Sequence, residues 1–271
     1  MNREFKLGMF SWFGYILPLP ERLRLIQQAG FASISLWWED EYTPALIKKE
    51  HFAALVREAG LFFENIHAPF INTNDLWSAD KAAREKAVQQ YLTWLEDCAQ
   101  YAIPLLVMHL TEGDEPPEAN KYGLESMMAL VRGAEERSVK IAVENTRRTN
   151  HVSFVLNEIP SDYLGLCYDS SHARLCPDRG ETLLNRFGQR LLATHLSDND
   201  GKEDRHWVPG NGIINWNSLM NKFIMNNYTG YLTLEVAADP EERKGPPEVF
   251  VQKAFQRLTG IRQANPADRS K

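Results

Sequence analysis

The sequence predicts an α/β chain closed into a (β/α)8 barrel, the TIM barrel, and three observations carry that reading. Short β-branched or aromatic runs alternate with segments of helical apolar spacing, as in a parallel sheet covered by helices. Eight such units follow one another. No glycine-rich dinucleotide fingerprint opens any of them, which favours a closed barrel over an open doubly wound sheet.

The strands are expected at Lys6–Phe13, Ser33–Trp38, Leu61–His67, Leu105–Leu110, Lys140–Glu144, Tyr163–Tyr168, Leu191–Leu196 and Tyr231–Val236. The helices between them are expected at Pro20–Ala29, Pro44–Ala59, Asp80–Tyr101, Lys121–Arg137, Val152–Ile159, Gly180–Phe187, Asn215–Asn226 and Pro247–Ile261. Pro20 suits a first helical turn, and Gly30 and Gly60 follow helix ends as C-terminal caps do. In the third helix Val88, Leu92 and Leu95 share one side, and Lys86, Gln90, Thr93 and Asp97 share the other. Lys81 and Arg84 extend the apolar stripe backwards, so the first turn of that helix is expected to project beyond the core. The 271 residues suit one barrel over 1–262, followed by a polar, loose tail over 263–271 that contains Pro266.

Apolar residues make up 44% and charged residues 24%, a globular balance that excludes a disordered chain. No run approaches the ~20 apolar residues of a membrane span. The first six residues carry charge of both signs with no apolar signal segment behind them, which argues against export. Three cysteines, Cys98, Cys167 and Cys176, lack zinc-finger spacing and fit a reducing cytoplasm. A net charge of −6 argues weakly against a nucleic-acid partner.

Position is the informative property of the ionisable residues, because barrel active sites lie at the C-terminal ends of the strands. Of seven histidines, His67, His109, His172, His195 and His206 fall at such an end or just after one. His51 and His151 do not, and are expected to be solvated surface residues. Glu144, Asp169 and Glu235 end the fifth, sixth and eighth runs. A carboxylate at the end of an apolar strand carries a desolvation cost unless something pairs with it. Few cations share these segments, whereas imidazoles and carboxylates converging on one cavity are what a divalent cation needs. Aromatic residues crowd the same loops: Trp12, Phe13, Tyr15, Trp37, Trp38, Phe70 and Trp207. Their flat faces suit the wall of a sugar ring, although strand neighbours face opposite sides, so one of Trp37 and Trp38 is expected to pack. Arg147, Arg148, Lys202 and Arg205 are candidates for a substrate phosphate or carboxylate.

Five motifs in order carry a family resemblance. They are His67-Ala68-Pro69, Glu144-Asn145-Thr146, Asp169-Ser170-Ser171-His172, His195-Leu196-Ser197-Asp198-Asn199-Asp200, and His206-Trp207-Val208-Pro209-Gly210-Asn211-Gly212 ending in Asn215-Trp216. Together they resemble the xylose isomerase-like metal barrels. That group includes sugar (phosphate) isomerases and epimerases, inosose dehydratases and type IV apurinic endonucleases. The resemblance implies a four-ligand metal site of Glu144, Asp169, His195 and Glu235, with His172 and His206 near the substrate. His67, His109, Trp12 and Trp37 are further substrate-contact candidates. The endonucleases use a larger set, whose residue types also occur here as His67, His109, Glu144, Asp169, His172, His195, Asp204, His206 and Glu235. The segment after His109 lacks the second histidine common in those nucleases, and Pro209–Gly212 followed by Trp216 looks like the sugar-isomerase form.

Three carboxylates and one imidazole suit Mn²⁺ or Mg²⁺, with Co²⁺ and Zn²⁺ as further candidates. The implied activity is isomerisation or epimerisation of a sugar or sugar derivative through a metal-stabilised enediolate, with Glu144 and Glu235 as acid and base. Apurinic endonuclease and inosose-type dehydratase are the alternatives, beside a binding barrel that holds metal without turnover. The expected partner is a small sugar, with no membrane and no nucleic acid, and homo-oligomers are common in the group.

Overall fold

The computed structural model describes residues 5–176, 180 and 182–263. Eight parallel strands run in sequence: β1 (Leu7–Phe10), β2 (Ser33–Trp37), β3 (Phe62–His67), β4 (Leu105–His109), β5 (Lys140–Glu144), β6 (Leu164–Asp169), β7 (Leu191–His195) and β8 (Leu232–Leu234). Their order is β7-β6-β5-β4-β3-β2-β1-β8. A bridge between Leu196 and Leu234 closes the remaining gap: the Leu196 N–H donates to Thr233 O at 2.9 Å, and its carbonyl accepts from Glu235 N at 3.0 Å. The chain is therefore a (β/α)8 barrel.

The helices are α1 (Leu19–Ala29), α2 (Phe52–Glu58), α3 (Lys81–Gln100), α4 (Lys121–Arg137), α5 (Asn150–Glu158), α6 (Ser170–Leu175), α7 (Thr182–Phe187), α8 (Trp216–Met225) and α9 (Pro247–Gln263). Local chemistry starts and stops them. Asp80 and Asn120 accept hydrogen bonds from free amides in the first turns of α3 and α4. Gly30 ends α1 in the left-handed conformation, φ 108°. Among the described residues no helix is long and apolar enough to cross a membrane.

Several expectations need correction. The helix expected over Pro44–Ala59 begins later: a single turn, Lys49–His51, leads into α2. The preceding segment is taken up by an antiparallel bridge between Glu41 and Ile47, with Glu41 ion-paired to the buried Arg22. The short helix α6 was not foreseen; the Asp169 carboxylate nucleates it by accepting from the His172 N–H. In α3 the buried residues are Tyr91, Trp94, Leu95 and Cys98, with Val88 and Leu92 half-buried, so the apolar face is rotated from the expected one. Lys81 projects into solvent as expected, but Arg84 packs its guanidinium on the Tyr122 ring at 4.6 Å and donates to the Ser78 carbonyl. Of the tail over 263–271, Gln263 ends α9 and the rest lies outside the described residues.

Most apolar side chains lie between the strands and the helices, where Ile141, Val143, Leu164 and Leu166 belong to one continuous core. Their strand neighbours turn into the barrel. Leu105, Val107, Ala142, Cys167 and Ala193 fill its middle as a second cluster. Below lies a polar knot: Glu64 Oε2 accepts from Ser33 Oγ at 2.9 Å and Thr233 Oγ1 at 2.6 Å. A Cβ on Gly8 would lie 2.3 Å from Ser33 Oγ, so only glycine lets β1 pass this knot. The period of two then carries His109, Glu144, Asp169, His195 and Glu235 inward at the top of the barrel.

Candidate metal centre

Glu144, Asp169 and His195 are the last residues of β5, β6 and β7, and Glu235 follows β8. Each offers one atom to a set lying within 4.8 Å of one another. The first three side chains are 1%, 0% and 0% exposed, and Glu235 is 19% exposed. His195 Nδ1 lies 2.9 Å from Glu144 Oε2 and 3.1 Å from Glu235 Oε2. These contacts are too poorly aligned for hydrogen bonds, and Glu144 Oε2, Asp169 Oδ2 and both His195 nitrogens have no hydrogen-bond partner among the described residues. Buried polar atoms left this way are rare, because each carries a desolvation cost.

More imidazoles surround Glu144. His67 Nε2 is 3.2 Å from Oε2, while His109 Nε2 and His172 Nδ1 are 3.5 Å and 3.4 Å from Oε1. The His67 Nδ1–H donates to the Ala68 carbonyl at 3.0 Å, which turns its Nε2 toward the glutamate. His67, His109 and Glu144 form a second group able to hold a cation. On the far side His172 Nε2 donates to Asp204 Oδ2 at 2.9 Å, with His206 Nε2 at 3.3 Å from the same oxygen.

Burial by itself would raise the Glu144 carboxyl, but the His195 and His109 imidazoles outweigh it and hold the group well below the usual carboxylate range. Glu235 is held at about 2: burial opposes this, and His195 and His206 prevail. Asp169 is pushed up to about 7 by burial, with Glu144, Asp204 and Glu235 adding repulsion against His172. His195, His172 and His206 are raised despite burial by the acids around them, His206 to about 10. The cluster thus holds protons where a divalent cation would serve the same carboxylates.

The donor chemistry fits such a cation. Three carboxylates and one imidazole converge with orphaned atoms, and the carboxylates are mostly oxygen donors of the kind Mn²⁺ and Mg²⁺ take. Glu144, Asp169, His195 and Glu235 are the residues that would hold it.

Two residues that sequence reasoning passed over support the centre. Asn145 clamps β5 to β6: its Nδ2 donates to Asp169 O and its Oδ1 accepts from Asp169 N, both at 2.9 Å, while its carbonyl accepts from His172 Nδ1 at 3.0 Å. Asp198 gathers the loop after β7, accepting from the Asn199, Gly210 and Ile214 amides and from Trp216 Nε1 at 2.9–3.1 Å. A Cβ on Gly212 would lie 2.4 Å from this carboxylate, the one sequence signal of its role.

The other candidates divide. Trp37 stacks on His67 with ring centres 5.2 Å apart, and Phe70 lies flat against His109 at 4.6 Å. Trp38 is the packed member of its pair. Trp12 is half-exposed beside Arg22, and among the described residues no ring contact joins it to the cluster. Arg205 pairs with Asp200 and Glu203, and Arg148 donates to the Asp114 carbonyl. His51 is exposed as expected, but His151 is not: it is buried edge-on against Trp77, with Nε2 donating to the Pro117 carbonyl at 2.8 Å.

A family model described as xylose isomerase-like TIM barrel matches residues 23–258. The uncharacterised protein y4fM of Sinorhizobium fredii is 28% identical over 251 residues, 80% of each chain. Among solved structures, the 3-keto-D-glucoside 4-epimerase YcjR of E. coli superposes with a TM-score of 0.72 at 18% identity, over 96% of this chain and all of that one. An L-ribulose 3-epimerase superposes with a TM-score of 0.75 at 15% identity, over 96% and 94%.

Proposed function

The chain belongs to the xylose isomerase-like TIM-barrel family, and on that premise we propose that it is a divalent-metal-dependent isomerase or epimerase of a sugar or sugar derivative. One observation carries the reading: Glu144 and Glu235, from different walls of the barrel, meet at His195 Nδ1 beside the orphaned Asp169. The sugar epimerases among the structural relatives support it. When bound, Mn²⁺ or Mg²⁺ would act as a Lewis acid on a sugar carbonyl and its neighbouring hydroxyl.

The side chains do the rest. One of Glu144 and Glu235 takes the proton from the α-carbon onto a carboxylate oxygen, and the electron pair left behind moves onto the carbonyl oxygen. The other glutamate returns a proton, to the opposite face in an epimerase or to the neighbouring carbon in an isomerase. His172 donates from both nitrogens, to Asn145 O and to Asp204, and so stands as a fixed cation beside the developing negative charge. Trp37 and Phe70 wall the mouth and exclude water.

Incubation of ketoses, sugar phosphates and inososes with the protein and Mn²⁺ in deuterated water tests this. Deuterium entering at an α-carbon is the expected result, and its absence across the panel would contradict the reading. The nine donors assembled here also favour a second reading, a type IV apurinic endonuclease, and the missing second histidine after His109 counts against it. No cleavage of an abasic duplex with Zn²⁺ or Mn²⁺ is expected; cleavage that disappears in His109→Ala would promote the nuclease.

A further inference from the structure

Beside the centre, a cleft of about 450 Å³ opens between the loops that follow β4 and β5. That volume falls within the ~300–1,000 Å³ of small-molecule sites. His109 and His172 form its inner end, and Asp169, His195 and Glu235 do not line it. A ketose held with its reacting carbons between Glu144 and Glu235 leaves this space for whatever the substrate carries further along.

The lining is of two kinds. Phe70, Pro116 and Leu175 supply apolar surface. Glu112, Asp114 and Arg147 supply planar groups of both charges. Backbone contacts hold the two loops. Asn74 bonds the Glu112 carbonyl and amide at 2.9 and 3.1 Å, and Arg148 ties the β5 loop to the Asp114 carbonyl at 2.6 Å. Among the described residues neither acid is ion-paired with either arginine. The carboxylates of Glu112 and Asp114 and the guanidinium of Arg147 are thus available in a fixed frame.

Two acids offset two arginines, so the cleft has no net charge with which to select an isolated anion. A neutral ring of hydroxyls uses both signs at once: each hydroxyl donates to a carboxylate and accepts from a guanidinium. The C–H face of the same ring packs on Phe70 and its apolar neighbours. We infer that this cleft is a subsite for a second sugar ring, and that the substrate class is a ketose bearing a glycosyl substituent. The inference rests on the proposed isomerase or epimerase reading and deepens it.

The test uses D-fructose, three glucosyl- or galactosyl-fructoses (palatinose, turanose and lactulose) and D-fructose 6-phosphate, with the Mg²⁺-loaded protein. Saturation-transfer NMR reads which ring touches the protein, and deuterium incorporation reads turnover. Saturation of the glycosyl ring is expected for at least one disaccharide, with a lower KM than fructose. Arg147→Ala should raise that KM roughly tenfold, the loss of about one hydrogen bond to a charged group, and leave the values for fructose unchanged. Arg147→Lys should restore part of the loss. No saturation on any glycosyl ring overturns the subsite, whatever fructose does. An advantage confined to the 6-phosphate and dependent on Arg147 also overturns it, in favour of an anion site. Glycosyl-ring contact without deuterium exchange in any ketose upholds the subsite and removes the isomerase reading.

Discussion

Glu64 and Glu144 both point into the barrel from buried positions, one near its lower end and one at its upper end, yet they are opposite in character. Glu64 faces neutral hydroxyls, Ser33 and Thr233, which satisfy one oxygen without supplying charge. Burial therefore prevails and pushes its pKa up to about 7. Glu144 is equally buried, but the imidazoles around it keep it ionised, and one of its oxygens has no hydrogen bond among the described residues. The same side chain in the same interior is a structural acid when its partners are hydroxyls, and a ligand or base when they are imidazoles. Function follows from the partners and not from the residue type.

That contrast can be broken most severely at the upper end. Glu144→Gln keeps the size and one ligand oxygen but cannot take a proton at neutral pH. Turnover measured at saturating metal should fall at least ~10²-fold, and Glu235→Gln should do the same. Loss of the abstracting glutamate abolishes deuterium exchange into substrate, while loss of its partner leaves exchange and blocks product. Near-wild-type turnover in both variants would move the acid–base roles elsewhere, with His172 and His206 next in line.

At the lower end the same substitution should stabilise. The folded state binds the Glu64 proton more tightly than the unfolded chain does, with a pKa of about 7 against 4.5. Its contribution to stability is complete below the unfolded value and is lost as pH rises through about 7, a difference of up to about 3 kcal/mol. Glu64→Gln should remove that loss, so urea unfolding at pH 8 should favour the variant while the two proteins agree near pH 5. An equal decline with pH in both would exclude Glu64 as its source. A smaller effect is expected where the centre meets the mouth: Trp37→Ala removes a stacked ring from His67, worth ~0.5–1.5 kcal/mol for such a pair, and should raise KM a few-fold with little change in kcat.

The upper cluster was legible in the sequence because a buried strand writes its end plainly. Ile141-Ala142-Val143 breaks off at Glu144, and Leu166-Cys167-Tyr168 at Asp169, so the ionisable residue marks both the strand end and the face it shares with its neighbours. What stayed hidden depends on contacts between distant segments. His151 is buried by Trp77 and the Pro117 carbonyl, neither of which its own neighbourhood announces. The role of Asn145 exists only once β5 and β6 lie side by side. The helix expected from Pro44 loses its first turn to the Glu41–Ile47 bridge, a pairing that the local apolar spacing does not encode.

Metal retention tests the central claim most directly. Elemental analysis of the purified protein should find a stoichiometric divalent ion. A variant with Glu144, Asp169, His195 and Glu235 all replaced by alanine, its fold checked by circular dichroism, should have lost it. Undiminished stoichiometric metal in that folded variant would contradict the assignment of these four residues.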